Sequence, residues 1–394
     1  MNVAVSPLRL RLDGAALVSN WRWLAAQSGA AACGAAVKAD GYGLGAAEVV
    51  ARLSAAGCRD FFVATWNEAA RLGTLPEGGS LSVLHGVRAE DMAAARGSMA
   101  RPVLNTAEQV RRWRETALPC DVMIDTGMNR LGLSVQDVQD GVLDGLVIST
   151  LMSHLASADE DGPQNERQRA AFAALAGKTG ARRMSLANSA GIVLGTDYAF
   201  DLTRPGLALY GGVPRPGADA IRQVAFPEAQ ILQRRHVMAG DTVGYNATFT
   251  ASAPMDLAIL NIGYADGYLR GFSARGSAAG GTLPVIGRVS MDLIALGVEA
   301  QPELGEGDWV AIDYHLPTAS AQSGLSQYEL LTGLGRGLTG CGPNPSPRTF
   351  RFEQHILPLR SALLRELLHI LRLAARQDHH AIAMGDDDQI VHAR

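Results

Sequence analysis

Residues 61–84 read FFVATWNEAARLGTLPEGGSLSVL. Phe61–Thr65 is an apolar run too short for a helix, Trp66–Leu72 has helical spacing, and Leu81–Leu84 is a second short apolar run. Together they spell one strand–helix–strand unit. The same rhythm continues on both sides of it. Ala35–Lys38, Pro102–Leu104, Asp121–Asp125, Leu146–His154, Met184–Ala187 and Asp201–Thr203 are further strand-like runs. Gly45–Ala56, Thr106–Glu115 and Asn165–Ala176 are Ala-rich spacers long enough for crossover helices. Eight strands alternating with helices over about 200 residues predict an α/β fold with an N-terminal (β/α)8 TIM-type barrel. An open, doubly wound sheet has a similar rhythm and is the alternative on periodicity alone.

The texture changes near residue 220. Val237–Thr250, Asp256–Ile262, Thr282–Gly287, Leu293–Val298 and Asp308–Ile312 are strand-like and separated by Gly, Pro and Asp turns. The expected organisation is therefore a barrel domain at 1–220, a mostly β C-terminal domain at 221–336, and an atypical C-terminal extension at 337–394. That extension opens with the breaker cluster GCGPNPSPR, continues with the amphipathic stretch Leu359–Arg376, and holds five of the nine histidines. It is assigned no catalytic role.

Composition bounds the function. With 394 residues, 47% apolar and 19% charged, the chain is expected to form two or three domains around a sizeable core. A net charge of −4 is too weak a field for a dedicated nucleic-acid or acidic-membrane partner. No secretory h-region and no long uncharged apolar run is present, so a cytoplasmic protein is expected. Cys33, Cys58, Cys120 and Cys341 are widely spaced, which predicts reduced thiols and no metal site. AGKTG around Lys178 lacks the first glycine of a Walker A motif, since Phe172 stands there, and GYGLG and GLGRG miss the dinucleotide fingerprint. His379, His380 and Asp386–Asp388 read as a polar tail.

One count stands out: 33 arginines against two lysines, Lys38 and Lys178. Lys38 lies in AAVKADGYGLG, residues 35–45, at the end of the first barrel strand. Barrels keep their chemistry at the C-terminal ends of their strands. An amine whose pKa falls on desolvation can form a Schiff base with an aldehyde, which a guanidinium cannot.

Nine ordered motifs then coincide: AAVKADGYG, IDTGMNRLG, MSHLASAD, NSAG, TRPGLALYG, VGYNATFTA, NIGYADGY, GRVSMD and YELLTGLGR. Over residues 1 to about 336 the chain resembles the alanine racemases, pyridoxal-phosphate enzymes with an N-terminal barrel and a C-terminal β domain. The resemblance implies L-alanine/D-alanine interconversion through a pyridoxal 5'-phosphate aldimine by a two-base mechanism, supplying D-alanine for peptidoglycan. A broad-specificity or serine racemase of the same fold is the runner-up, and a non-catalytic pyridoxal-phosphate carrier is a further alternative.

By the same resemblance, Lys38 would hold the cofactor and act as base on one face of the substrate α-carbon. Tyr245, reaching in from the partner subunit of a homodimer, would be the opposite base. Racemisation needs proton transfer on both faces. Arg204 would face the pyridine nitrogen, weakening the ring as an electron sink, with His154 supporting it. Tyr42, Ser189, Gly206, Leu207 and Tyr328 match phosphate contacts, and Arg130 would steer the substrate carboxylate. Met291, Asp292 and Tyr264 match substrate-site and entry positions contributed across the dimer. One departure stands out. Many relatives carry a lysine seven residues before the counterpart of Arg130, and its carbamate braces that arginine; here the position is Met123.

Overall fold

The computed structural model describes residues 6–337 and 350–353, the side chains of 335–337 and 350–353 excepted. The extension's Leu359–Arg376, its histidines, and Cys341 lie outside the described residues. By contacts, the described residues belong to one compact unit.

The chain begins with β1 (Leu8–Asp13), whose LRLRLD alternation buries Leu8, Leu10 and Leu12 and turns the intervening side chains outward. The barrel strands follow: β2 (Ala32–Cys33) and β3 (Ala35–Ala36), β4 (Asp60–Val63), β5 (Ser80–Val83), β6 (Arg101–Leu104), β7 (Pro119–Met123), β8 (Val147–Met152), β9 (Arg183–Ser185) and β10 (Leu202–Thr203). β3 to β9 form one parallel sheet in sequence order, and β10 pairs in parallel with β2. β2 and β3 are two halves of one strand, interrupted at Gly34. A Cβ at Gly34 would lie 2.7 Å from the Asp60 carbonyl oxygen, so only glycine lets the first strand cross there. The Asp201 and Arg204 amides donate to the Met184 and Ala187 carbonyls, tying β9 to the last strand and closing the ring. This is the closed barrel, not the open doubly wound sheet.

Helices cover the barrel where the spacing predicts them, as at Ala46–Ala56, Trp66–Leu72, Ala107–Arg114 and Pro163–Ala173. Local chemistry fixes their starts. Thr65 caps Trp66–Leu72 in a reciprocal box with Glu68. The same Glu68 accepts the Ala39 amide at 2.8 Å, so the cap also anchors the turn that carries Lys38.

The second sheet is built on β11 (Ala225–Val237), followed by β12 (Thr242–Val243), β13 (Phe249–Thr250), β14 (Met255–Leu260), β15 (Ser277–Ala278), β16 (Leu283–Ile286), β17 (Ile294–Gly297), β18 (Trp309–Ala311) and β19 (Phe350–Glu353). Its order is β15-β16-β17-β14-β11-β1-β19, with β18 also on β11, and it is mostly antiparallel. Two features differ from the sequence reading. The chain's first strand belongs to this second sheet, pairing Leu8–Leu12 with Ala225–Ala229. The stretch expected as one strand over Val237–Thr250 instead ends β11 at Val237 and then forms the short β12–β13 hairpin, with Tyr245 in its turn. Also, β19 lies within the 337–394 extension and pairs in parallel with β1.

Among the described residues no helix is long and apolar enough to cross a membrane, and no group of three or more His, Cys, Asp or Glu side chains could hold a metal ion. Cys33, Cys58 and Cys120 are buried and unpaired.

Candidate active site

The C-terminal ends of all eight barrel strands open into one cavity of about 320 Å³. Lys38 follows β3, Ala64 follows β4, and Leu84 and His85 follow β5. Asn105 follows β6, Met123 ends β7, Ser153 and His154 follow β8, Asn188 and Ser189 follow β9, and Arg204 follows β10. Of the residues expected from sequence, Lys38, Tyr42, Arg130, His154, Ser189, Arg204, Gly206, Leu207 and Tyr328 line this cavity.

Lys38 is held by an unusual backbone. Ala39, Asp40, Gly41 and Tyr42 all have positive φ, at 52°, 54°, 64° and 56°, a left-handed turn. Each non-glycine residue in that region costs roughly 1–2 kcal/mol. The strain is restrained by the Glu68–Ala39 bond, by Asp40 accepting the Ala46 amide at 2.9 Å, and by the Gly41 and Gly45 amides bonding to the Val37 and Asp40 carbonyls. Burial lowers the Lys38 pKa, the Arg130 charge lowers it further, and Glu68 opposes both.

Arg204 is buried. Its guanidinium donates to the Ser185 hydroxyl and, at 2.5 Å, to the Ser153 carbonyl. Burial lowers its pKa to about 10, which leaves it charged at neutral pH. His154 is half-buried, and its pKa is pushed down to about 3, first by burial and then by Arg204, Arg130 and Lys38. It is therefore a neutral imidazole under ordinary conditions. Unfolding returns it to about 6.5, so below that pH the unfolded chain takes up a proton the folded one refuses. Its contribution to stability is complete above pH 6.5 and is lost as pH falls toward 3. His154→Gln should therefore flatten the acid-side loss of unfolding free energy by about 1.4 kcal/mol per pH unit between pH 6 and 4. Urea unfolding at several pH values measures it, and an unchanged slope would mean that His154 titrates normally in the fold.

At the far side of the cavity, Asn188 caps the short helix Ser189–Val193 through the Gly191 amide. Ser189 Oγ accepts the Gly206 and Ala208 amides at 2.9 and 3.2 Å. Tyr42 stacks on Tyr210 at 4.7 Å, with Tyr328 6.3 Å away. A Cβ at Gly206 would collide with Tyr42 Oη. Hydroxyls and main-chain amides converging on a strand-to-helix turn suit a phosphate.

Arg130 rides on a loop closed by the Ile124–Leu133 bridge and shaped by Asp125, which accepts the Gly127 and Met128 amides. It is exposed and has no hydrogen bond or ion pair with any described residue.

Tyr245, Tyr264, Met291 and Asp292 do not line this cavity. They sit on the C-terminal domain, where the Tyr264 and Ala265 amides bond to the Ser290 and Met291 carbonyls. Tyr245 is 61% and Met291 53% exposed, far more than such side chains need to be in a packed domain. The sequence reading missed Asn105, Ser153, His85 and Asn188. Their signal was available only as position, each standing one to three residues past a barrel strand.

An amine with a lowered pKa, a guanidinium and a hydroxyl–amide cradle share one cavity. That donor set fits an aldehyde-bearing, phosphorylated, nitrogen-containing ring.

Comparison with known proteins adds to this. Residues 12–214 match the family model "Alanine racemase, N-terminal domain", and residues 224–339 match "Alanine racemase, C-terminal domain". The chain is 41% identical over 343 residues to an alanine racemase of Acidiphilium cryptum, covering 83% of this chain and 96% of that protein. It is 42% identical over 350 residues to one of Methylobacterium nodulans, covering 83% and 94%. A crystal structure of alanine racemase from Bartonella henselae with covalently bound pyridoxal phosphate superposes with a TM-score of 0.78 at 35% identity, covering 84% of this chain and 98% of that one.

Proposed function

The chain belongs to the alanine racemase family, and from that premise we propose that it interconverts L- and D-alanine with pyridoxal 5'-phosphate held at Lys38. The reading includes a cytoplasmic enzyme that supplies D-alanine for peptidoglycan. The observation that supports it most is the pairing of Lys38 with Arg204 in one barrel-end cavity.

The bound cofactor would supply a ring that draws electrons from the substrate α-carbon and so acidifies its C–H. The chain's own residues do the rest. Lys38, its amine disfavoured as ammonium by burial, takes or returns a proton at one face of that carbon. Tyr245 Oη of the partner subunit serves the other face. Arg204 can donate but cannot surrender its proton, so it would hold the nitrogen of such a ring without protonating it. That would keep the ring a restrained electron sink and disfavour transamination. Neutral His154 fills the space beside Arg204 without adding a second positive charge.

Tyr42, Ser189, Tyr328 and the Gly206–Leu207 main chain would grip the phosphate. Arg130 would hold the substrate carboxylate. Tyr264, Met291 and Asp292 would narrow the entry from the partner subunit. The exposure of Tyr245 and Met291 supports such a homodimer.

The test is direct. Alanine incubated with the protein in D2O should lose optical rotation and gain deuterium at Cα from either enantiomer. Neither change, in protein loaded with pyridoxal phosphate, would overturn the reading. The cradle has its own prediction. Gly206→Ala forces Tyr42 aside, and losing a hydrogen bond to a phosphate should weaken cofactor binding by about 10-fold or more. Titration of the apoprotein with pyridoxal phosphate measures this; unchanged affinity would remove Tyr42 from the phosphate site.

A further inference from the structure

Asn105 stands just past β6 and is 2% exposed. Its amide nitrogen donates to two main-chain carbonyls, Leu84 at 3.0 Å and Val103 at 2.8 Å. Those bonds settle which end of the carboxamide is which, since a flipped group would set its oxygen against two other oxygens. Oδ1 is thereby fixed, buried, and without a donor among the described residues. An acceptor left so is costly.

The strand register says what lies beside it. Val103 and Leu104 pair with Asp121 and Val122, so Asn105 comes alongside Met123 on the neighbouring strand. The pleat puts both side chains on the same face, about 5 Å apart. Both line the cavity, as does Arg130. Met123 offers only a thioether, a weak acceptor. Arg130 carries five donors and has no acceptor among the described residues. One cavity thus holds a buried acceptor lacking a donor and a guanidinium lacking an acceptor.

We propose that Asn105 is the positioning residue for Arg130: its Oδ1 accepts a hydrogen bond from the guanidinium when a carboxylate ligand draws that side chain into the cavity. The bond fixes the orientation of the fork that grips the carboxylate. The inference rests on the reading of Arg130 as the carboxylate-binding group.

Propionate, which is alanine without its amine, isolates this interaction. Calorimetric titration of propionate into the cofactor-loaded protein would be run on Asn105→Ala, Arg130→Ala, the double variant, and Asn105→Ala/Met123→Glu. Arg130→Ala should weaken propionate by about 10-fold or more, and Asn105→Ala by about 10-fold. The double variant should bind no more weakly than Arg130→Ala, because the two residues act through one contact. In Asn105→Ala the KM for alanine should rise by a similar factor while kcat changes less than about threefold. Met123→Glu, which supplies a carboxylate from the next strand, should restore propionate binding in the Asn105→Ala background. A packing defect would show neither the split nor the rescue. If Asn105→Ala does not fold, near-isosteric Asn105→Leu takes its place. Propionate affinity within about twofold of the parent in Asn105→Ala, with Arg130→Ala weakened, overturns this inference and leaves Arg130's role intact. Additive losses in the double variant, or no rescue by Met123→Glu, also overturn it. Unweakened binding in Arg130→Ala overturns the role of Arg130 itself.

Discussion

Lys38→Ala should lower the rate of alanine racemisation by about 10⁴-fold or more, because under the proposed function it removes both the covalent anchor and one of the two bases. Lys38→Arg should do no better. A guanidinium cannot lose its proton to become a nucleophile or a base. The structure sharpens the expectation because the environment of Lys38 works against its charge: burial and the neighbouring Arg130 both favour the free amine. A permanently charged arginine there would be opposed by the charges of Arg130 and Arg204, with Glu68 acting the other way. The measurements are the loss of optical rotation and the visible absorbance of the cofactor-loaded protein, which borohydride should bleach only when Lys38 is present. Deuterium exchange at Cα that survives in Lys38→Ala would sink the assignment.

Tyr245→Phe should reduce racemisation by roughly 10²- to 10⁴-fold, the usual contribution of one positioned acid or base. The loss should be one-sided. Exchange of the α-proton through Lys38 should persist for one enantiomer and fail for the other. Because Tyr245 stands apart from its own chain's cavity, the two variants should complement each other. Coexpressed Lys38→Ala and Tyr245→Phe chains reassort so that about half of the dimers are mixed, and each mixed dimer has one intact site of its two. Recovery of about a quarter of the parent activity is expected. No recovery from demonstrably mixed dimers would rule out a site shared between subunits.

The barrel was legible because each strand is a short apolar run and each spacer carries helical periodicity, the two signals that survive in a single sequence. Lys38 stood out because it is one of two lysines and follows an apolar strand, whereas Arg204 was picked out only through the resemblance carried by TRPGLALYG. β1 was equally visible as LRLRLD, a strict two-residue alternation, yet nothing local says which sheet it joins. That depends on its pairing with Ala225–Ala229 more than 200 residues later. The first half of β11 was hidden for a different reason. Its inward positions are Ala225, Pro227, Ala229 and Ile231, and alanine and proline are poor strand formers, so tertiary burial rather than propensity makes the strand. Asn105 could not be picked out in VLNTAEQ. What marks it is the pair of carbonyls that fix its amide, and those come from Val103 in β6 and from Leu84 just past β5.

The placement of β1 also bears on how the chain is made. Ribosomes release a chain from its N-terminus at about 5–20 residues per second, so roughly 10–40 s separate the emergence of β1 from that of its partner in β11. Throughout that interval the three leucines that β1 buries, each stabilising by roughly 2 kcal/mol once covered, have no sheet to join. The barrel can assemble behind it, but the molecule stays unsealed until Ala225–Ala229, just past the middle of the chain, arrive to capture its first strand. Newly made chains therefore pass through a window of exposed strand edge. A nascent-chain protease-protection assay should find residues 6–13 cleavable long after the barrel has become resistant.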